Sequence, residues 1–305
     1  MPKYAYLQGE FIPLEDANVS IMTHAFLYGT AVFEGIRAYW SDKDNQLYIF
    51  RAKEHYERLA NSCRIMRMDP GHTVEEMTEI TRVLLEKNEM KGNAYIRPMV
   101  YKCNHQVGVK LSGLDDDFLL FATEMGDYLD LSKGLRCKVS SWRHVSDNAI
   151  PMRCKCSGAY ANAALIKTEA LDDGYDEAIV LTDDGHVSEG SAENIFIVRG
   201  GKLVTPPETD DLLPGITRDT VMVLAEKVLN IPVEIRRIDR TELYIAEEAF
   251  FCGTGAQIAP ITSVDNRPIG NGEVGPISKK MQEIYFQVVR GQLKEFSHWC
   301  TPVFK

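Results

Sequence analysis

The segment from Pro151 to Phe196 constrains the fold of this chain most, because helix and strand patterns follow one another closely within it. The Ala- and Leu-rich run 159–171 has the composition of a helix, and Asp172-Asp173-Gly174 ends it. Residues 177–182, and again the stretch that starts at Ala192, are rich in apolar residues and typical of strands. The sequence therefore predicts a helix and two strands in close succession here.

Lys155 lies just before this helix, between Cys154 and Cys156 and ahead of Ser157-Gly158. Small and apolar neighbours can partly desolvate a lysine, and desolvation disfavours its ammonium form. The neutral amine is then able to attack a carbonyl group. Because the chain has 34 lysines and arginines, most of which must be solvated, this position alone does not separate a nucleophile from a surface lysine.

Charge and cysteine content narrow the classes of function. A net charge of −10 argues against nucleic acid, because phosphate binding needs a basic surface. The opening MPKYAYLQGEF predicts no signal peptide, and no apolar run is long enough to cross a bilayer, so we expect a cytoplasmic protein that binds no membrane. The seven cysteines include no CxxC pair and no zinc-type grouping, so we expect no metal site. Cys154 and Cys156 form a CxC, which is either a metal or redox pair or two small side chains that pack around Lys155; we favour packing.

Three further patterns are compatible with anion binding without requiring it. Tyr95 and Arg97 share one face of a predicted strand, which makes either a carboxylate receptor or a solvent-facing stripe. Thr217 lies at the start of a predicted helix, as an N-cap, as part of an anion site, or as both. The Gly-rich turn around Thr254 lets backbone N–H groups approach an anion, although many turns have such a sequence.

Five separated motifs occur in the order of a known family, and the likeness extends from about Tyr4 to Val274. The motifs are YGTAVFEGIRAY, YIRP, the Lys155 segment, SEGSAENIF and LLPGITRD. Together they resemble the class IV aminotransferases, which use pyridoxal 5'-phosphate, and within that class the branched-chain amino-acid aminotransferases. The resemblance implies transamination between Leu, Ile or Val and 2-oxoglutarate, giving the branched-chain 2-oxo acid and L-glutamate.

The resemblance also implies the architecture and assembly. It implies a mixed α/β fold with a small N-terminal domain (1–122), an interdomain loop (123–134) and a larger cofactor-binding domain (135–305) with a β-barrel-like core. It implies a homodimer at least, whose active sites lie near the subunit interface. The partners would be small amino acids and 2-oxo acids.

Roles in binding the cofactor are implied for residues in the matching motifs. The lysine that matches Lys155 forms the Schiff base with the cofactor, and the carboxylate that matches Glu189 pairs with the pyridine nitrogen. Arg58 would grip the phosphate with its planar guanidinium. The other implied cofactor contacts are Tyr160, Ile216, Thr217 and Thr254.

The resemblance implies substrate contacts as well. Tyr28, Phe33 and Gly35 would line the side-chain pocket, while Arg37 shapes the wall of the active site. Tyr95 and Arg97 would receive the distal carboxylate of glutamate. The remaining implied substrate contacts are Tyr128 in the interdomain loop and the turn residues Gly255 and Ala256.

Three alternative functions stay open at the level of sequence. The nearest keeps the fold but acts on D-amino acids or (R)-amines, since few residues are needed to change pocket specificity. The second is a lyase of the aminodeoxychorismate type, whose pocket lacks the FEGIR-like stretch. The third is a binding protein that has lost the cofactor, and the joint presence of Lys155, Glu189, Arg58 and Thr217 argues against it.

Overall fold

The computed structural model describes residues 3–126 and 133–304, which form two compact units. Unit 1 is the described part of Met1–Gly126, Cys154–Gly158 and Gln287–Lys305. Unit 2 is the described part of Asp127–Arg153 and Ala159–Phe286. The Lys155 segment therefore belongs to unit 1, although the residues before and after it belong to unit 2.

Strands and helices together give the mixed α/β fold that the resemblance implies. The strands are β1 (Tyr4–Leu7), β2 (Glu10–Pro13), β3 (Ala31–Phe33), β4 (Ile36–Ser41), β5 (Gln46–Phe50), β6 (Ala94–Lys102), β7 (Asp116–Glu124), β8 (Leu135–Arg143), β9 (Glu177–Leu181), β10 (Val187–Gly190), β11 (Asn194–Arg199), β12 (Lys202–Thr205), β13 (Val233–Ile235), β14 (Glu248–Gly253), β15 (Gln257–Val264), β16 (Arg267–Pro268) and β17 (Cys300–Pro302). The helices are α1 (His24–Tyr28), α2 (Ala52–Ile65), α3 (Val74–Lys87), α4 (Tyr160–Asp172), α5 (Ile216–Lys227), α6 (Arg240–Leu243) and α7 (Pro276–Val289).

Unit 1 is built on an antiparallel sheet with the strand order β17-β5-β4-β6-β7-β1-β2, in which β3 also pairs with β6. Helices α2 and α3 pack on this sheet through fully buried side chains such as Leu59 on α2 and Leu84 on α3. Their partners include Ile49 on β5 and Ile96 on β6. Burying side chains of this size stabilises each contact by about 1.5–3 kcal/mol relative to exposure. This core fixes β3, β4, β6 and α2, which carry the candidate residues of unit 1.

The sequence predicts two local features of unit 1, a hairpin over residues 4–14 and a capping box at Thr73-Val74-Glu75-Glu76, and both are confirmed. The hairpin of β1 and β2 turns at Gln8 and Gly9, both with positive φ (53° and 81°), as a two-residue type I′ loop requires. Helix α3 begins with the predicted capping box, since Glu76 N–H donates to Thr73 Oγ1 (3.2 Å) and Thr73 N–H donates to Glu76 Oε2 (2.7 Å).

Unit 2 contains a nine-stranded mixed sheet in the order β10-β9-β8-β15-β14-β11-β12-β13, with β16 paired to β15. The pairs β8–β9, β8–β15 and β12–β13 are parallel, and the others are antiparallel. Both faces of the central strands are buried, which explains their nearly continuous apolar sequences such as Ile195 to Val198. The sheet holds Glu189 on β10 and Asn194 at the start of β11.

Two predicted features differ from the structure, and one strand was not predicted. The strand is β10 (187–190), whose Ser-Glu-Gly composition does not suggest it; it forms because pairing with β9 outweighs weak strand propensity. The sequence predicts a final helix from 277 to 296, but α7 ends at Val289 and Gly291 has a left-handed φ of 69°. Helix α5 is capped by Gly215, so Thr217 lies within its first turn and is not the N-cap.

The described ranges contain neither a membrane-spanning helix nor a cluster of metal-binding side chains. No helix within 3–126 or 133–304 is both long enough and apolar enough to span a bilayer. In the same residues, no three or more His, Cys, Asp or Glu side chains are grouped so that they could hold a metal ion.

Candidate active site

Lys155 occupies the centre of a tight turn in unit 1. The N–H of Cys156 donates to the carbonyl oxygen of Cys154 (2.8 Å), which closes a three-residue γ-type turn around Lys155. The Lys155 N–H donates to Ser62 Oγ on α2 (3.3 Å), and the Lys155 carbonyl accepts from the Phe33 N–H on β3 (3.0 Å). Both backbone groups of the lysine are thus used to fix its position, which leaves the side chain to act.

The two cysteines beside Lys155 are buried thiols. The Cys154 thiol lies 3.7 Å from the carbonyl of Ser62, and the Cys156 thiol lies 3.6 Å from the carbonyl of Gly29. The pKa of Cys154 is raised by its hydrogen bond with the Cys156 thiol and by burial. Since buried neutral thiols are poor nucleophiles, these contacts favour the packing interpretation of the CxC.

The side chain of Lys155 lies close to a predicted pocket residue. Lys155 Nζ is 5.3 Å from the centre of the Phe33 ring, and the Arg97 guanidinium carbon is 4.3 Å from the same centre. An aromatic ring attracts cations at such distances. The structure therefore brings Lys155, Phe33 and Arg97 together, although they lie on three separate parts of the sequence.

Tyr95 and Arg97 interact directly, as their shared strand face predicts. Arg97 donates to Tyr95 Oη from Nε (2.9 Å) and from Nη2 (2.5 Å). A Cβ at Gly35 would lie 2.8 Å from Tyr95 Oη, so the absence of a side chain at Gly35 permits this position of the phenol. Both Tyr95 and Arg97 are half-buried, which argues against a solvent-facing stripe.

Arg37 is almost fully buried, with 2% exposure. Its Nη2 donates to the carbonyls of Met125 and Gly126, each at 3.1 Å. Its Nε and Nη1 have no hydrogen-bond partner among the described residues. Buried guanidinium N–H groups without acceptors are costly, so Arg37 has the capacity to bind a further carbonyl or carboxylate.

Arg58 is held by a carboxylate that the sequence analysis did not assign. Its Nε and Nη2 donate to the two oxygens of Glu34, both at 2.7 Å, and His55 Nδ1 lies 2.8 Å from Glu34 Oε2. Burial opposes the ionisation of Glu34, but the Arg58 charge and the hydrogen bonds outweigh it and lower the pKa of Glu34 to about 2. Glu34 lies inside the FEGIR motif, so the sequence drew attention to its position, but it did not show that Arg58 is its partner.

Glu34→Gln is expected to lower the free energy of unfolding at pH 7 by about 3–5 kcal/mol, because it removes the charge that pairs with a buried guanidinium. The pKa of Glu34 is about 2 in the folded protein, against 4.5 as its ordinary value. The stabilisation is therefore complete above pH 4.5 and is lost as the pH falls toward 2. Urea unfolding of the cofactor-free protein across this range measures it, with the exposed Glu75→Gln as control. A deficit of the same size at pH 7 and at pH 2 would contradict the assignment.

Glu189 in unit 2 is held at both of its carboxylate oxygens. Oε1 lies 3.1 Å from His144 Nε2, and Oε2 accepts from Asn194 Nδ2 at 2.8 Å. Asn194 Nδ2 also donates to the Leu213 carbonyl (2.9 Å), in the loop before α5. A Cβ at Gly215 would lie 1.9 Å from Asn194 Oδ1, so a glycine at this position lets Asn194 reach the loop. Sequence analysis missed His144 and Asn194, although Asn194 lies in the SEGSAENIF motif.

Other predicted residues of unit 2 lie at a helix start and at a turn. Ile216 and Thr217 begin α5, a twelve-residue helix whose first turn also contains Arg218. Helix starts favour anions because backbone N–H groups and the helix dipole point toward them. Thr254, Gly255 and Ala256 form the turn between β14 and β15, and Tyr160 begins α4.

Gln257 follows this turn and was not identified from the sequence. It has a left-handed φ of 57° and is 1% exposed. Neither atom of its side-chain amide has a hydrogen-bond partner in the part of the chain that the structure describes. The donor and the acceptor of the Gln257 amide, next to this turn, could therefore bind a further polar group.

Two further predicted substrate contacts are Tyr28 and Tyr128. The Tyr28 hydroxyl accepts from the Gly108 N–H (2.9 Å), which ties the end of α1 to the loop after β6. Tyr128 lies outside the described residues. In unit 1 the structure brings Lys155, Phe33 and Arg97 together, with Tyr95 bonded to Arg97. In unit 2, Asn194 connects Glu189 with the loop before α5.

Known proteins resemble this chain over almost its whole length. Residues 31–264 match the family model for amino-transferase class IV. A probable branched-chain-amino-acid aminotransferase from Aquifex aeolicus is 50% identical over 301 residues, which is 99% of this chain and 97% of that protein. The structure of a branched-chain aminotransferase from Thermoproteus uzoniensis with norvaline has a TM-score of 0.95 and 41% identity, covering 99% of both chains. A branched-chain amino acid aminotransferase from Thermobaculum terrenum, in its PLP-form, has a TM-score of 0.95 and 38% identity, covering 100% of this chain and 99% of that chain.

Proposed function

We propose roles in amino transfer for the residues described above, on the premise that this chain belongs to the class IV amino-transferases and, within them, to the branched-chain amino-acid aminotransferases. The enzyme transfers the amino group of Leu, Ile or Val to 2-oxoglutarate, which yields the branched-chain 2-oxo acid and L-glutamate. The observation that carries the assignment of residues is the position of the Lys155 amine, 5.3 Å from the centre of the Phe33 ring, with Arg97 at the same ring.

The enzyme uses pyridoxal 5'-phosphate, and the side chains present match the chemistry of this group. Lys155 supplies an amine that can bond to an aldehyde, and Glu189 supplies a buried carboxylate for a ring nitrogen. Arg58 and the start of α5 supply positive charge for a phosphate. When bound, the group supplies a protonated pyridine ring that accepts the electrons released at the substrate α-carbon.

Lys155 would have two roles. Its amine would hold the cofactor covalently at rest, and the same amine, once free, would move the proton at the substrate α-carbon. The backbone contacts of Lys155 with Ser62 and Phe33 support both roles, because they keep the side chain in one place while its own bonding changes.

Glu189 would pair with the ring nitrogen of the bound cofactor and would keep that nitrogen protonated. Opposite unit charges about 4 Å apart gain roughly 4 kcal/mol at an effective dielectric constant of 20, which is enough to raise the pKa of a ring nitrogen considerably. The contacts from His144 and Asn194 support the role, because they hold both oxygens of Glu189 in one orientation.

We assign the phosphate to Arg58, Thr217, Thr254 and Ile216, and a further cofactor contact to Tyr160. Glu34 supports the role of Arg58, because two hydrogen bonds fix the plane of its guanidinium. The positions of Thr217 and Ile216 in the first turn of α5 support an anion at this helix start.

The apolar side chains of Leu, Ile and Val need an apolar pocket, whereas the distal carboxylate of glutamate needs a cation. Unit 1 contains apolar groups and a cation. Phe33, Tyr28 and Gly35 provide an apolar wall for Leu, Ile or Val. Arg97, aided by Tyr95, provides the cation for the distal carboxylate of glutamate. We assign further substrate contacts to Arg37, Tyr128, Gly255 and Ala256.

Arg97→Ala is expected to reduce kcat/KM for glutamate about 10–100-fold more than kcat/KM for leucine, because only glutamate carries a distal carboxylate. Steady-state kinetics of the two half-reactions measure the difference. Arg97→Lys is the matched variant, since it keeps the charge beside Phe33 but loses the forked geometry. Its kcat/KM for glutamate should fall between those of the wild type and Arg97→Ala. Equal losses with leucine and glutamate would make Arg97 a structural residue.

We also propose that the chain forms a homodimer at least. In unit 1, exposed apolar side chains on and beside α1 and in the loop after β6 include Ile21 (78%), Phe26 (69%), Val107 (76%) and Val109 (76%). His24 Nε2 lies 2.6 Å from the Gly108 carbonyl and connects the two segments. Large exposed apolar surfaces of this kind favour a protein interface.

We propose a reducing cytoplasm as the compartment. None of the seven cysteines forms a disulfide, although only one residue separates Cys154 from Cys156. Disulfides are rare in proteins kept in a reducing environment.

A further inference from the structure

His144 contacts two hydrogen-bond acceptors, one at each ring nitrogen. Nε2 lies 3.1 Å from Glu189 Oε1, and Nδ1 lies 3.2 Å from the carbonyl oxygen of Val145. A carbonyl oxygen and a carboxylate oxygen can only accept, so both ring nitrogens must donate for both contacts to be hydrogen bonds. A neutral imidazole has one N–H, whereas the imidazolium has two. The geometry therefore fits a protonated His144.

Burial makes this charge significant. The side chains of His144 and Glu189 are each 7% exposed. A buried ion persists when an opposite charge and hydrogen bonds compensate for lost hydration. Burial lowers the pKa of His144, but the hydrogen bond and charge of Glu189 outweigh it, so that the pKa is raised overall, with smaller contributions from the Val145 carbonyl and the Asp211 charge.

The other charged groups near Glu189 do not supply the positive charge that His144 gives to its carboxylate. Arg218 is engaged elsewhere, donating from Nε to Thr205 Oγ1 (3.2 Å) and from Nη2 to the Pro206 carbonyl (2.9 Å). Burial, followed by the charge of Glu177, raises the pKa of Glu193, so this carboxyl favours its neutral form more than an exposed glutamate does.

We propose that His144 is a positioning residue for Glu189, in which an imidazolium holds one carboxylate oxygen while the Asn194 amide holds the other. This proposal rests on the role assigned to Glu189 in the proposed function. His144 acts through Glu189 by holding its carboxylate in one orientation, and does not itself touch the substrate. Asn194 is neutral over the working pH range, so the charge of the arrangement depends on His144.

The proposal predicts a direction for the effect of pH. Because the pKa of His144 is raised in the folded protein, the stability that the pair contributes is complete below the ordinary histidine value of about 6.5. It is lost as the pH rises through the raised value. The positioning of Glu189 should weaken in the same direction, toward alkaline pH.

Histidine-selective NMR titration of the cofactor-free protein tests the pairing without catalysis. The His144 signal is identified by its absence in His144→Gln. We expect it to titrate above about 6.5 in the wild type and at a lower pH in Glu189→Gln. His186, which is partly exposed and lies 3.1 Å from Asp184, is the control, and its signal should be the same in both proteins. A His144 pKa at or below about 6.5, or one that Glu189→Gln leaves unchanged, would overturn the proposal.

The holoenzyme provides a second test that separates this proposal from the function. We expect kcat of the wild type with leucine to decline toward alkaline pH. His144→Gln should lower kcat about tenfold with little change in KM, and should remove this decline. His186→Gln should behave as the wild type. If Glu189→Gln is inactive but does not change the His144 titration, this proposal fails and the proposed function stands. If Glu189→Gln changes the His144 titration but is fully active, the role of Glu189 fails. Should His144→Gln not fold, the titration in Glu189→Gln, with signals assigned by His-to-neighbour correlations, still decides the pairing.

Discussion

Lys155→Ala is expected to lower the rate of amino transfer by about 10⁴-fold, because it removes both the covalent attachment and the group that moves the α-proton. The fold should survive, since the contacts of residue 155 with Ser62 and Phe33 use backbone atoms. Measurement of kcat with leucine and 2-oxoglutarate, together with thermal unfolding, checks both statements.

Two further variants separate chemistry from charge at this position. Lys155→Arg keeps a cation beside the Phe33 ring but cannot form the covalent bond, so it should be as inactive as Lys155→Ala. Lys110→Ala, an exposed lysine of the same unit, should leave the rate unchanged. Substantial activity in Lys155→Arg would show that the charge, and not the nucleophilic amine, is what the reaction needs.

Glu189→Gln should reduce kcat by about 10²–10³-fold while the cofactor stays bound. Gln has nearly the same shape as Glu, so packing is preserved, but it carries no charge to keep the ring nitrogen protonated. Equilibrium dialysis gives the cofactor stoichiometry, and single-turnover kinetics with leucine give the chemical step. Glu226→Gln, on the exposed face of α5, is the matched control. Turnover at the wild-type rate would exclude the proposed role of Glu189.

Features fixed by neighbouring residues could be predicted from the sequence. The β1–β2 hairpin follows from Gln8-Gly9, and the start of α3 follows from Thr73 and Glu76. The pairing of Tyr95 with Arg97 follows from strand alternation. In each of these cases the interacting groups lie within a few residues of one another, so local physical rules decide the structure.

Features that depend on distant partners could not be predicted. The turn at Lys155 is held by Ser62 and Phe33, which lie about ninety and more than a hundred residues earlier in the chain. Strand β10 exists because β9 pairs with it, against its own composition. The family motifs pointed to positions in the sequence, but the partners that support those residues became visible only in the folded chain.

The supporting partners are the main addition that the structure makes to the candidate site. Glu34 was part of a quoted motif, yet its two hydrogen bonds to Arg58 depend on how α2 packs next to β3. His144 carried no motif, and only its 3.1 Å contact with Glu189 connects it with the site. Residue type and spacing suggested which groups react, whereas packing determined which groups hold them.

The absorbance spectrum of the purified enzyme, recorded before and after separate additions of L-leucine, D-alanine and (R)-1-phenylethylamine, tests the central claim most directly. We expect a visible band from the cofactor bound to Lys155, and we expect L-leucine alone among the three to abolish it. Loss of the band with D-alanine or the (R)-amine, and not with L-leucine, would contradict the branched-chain assignment. Absence of the band after addition of pyridoxal 5'-phosphate would contradict the role of Lys155 itself.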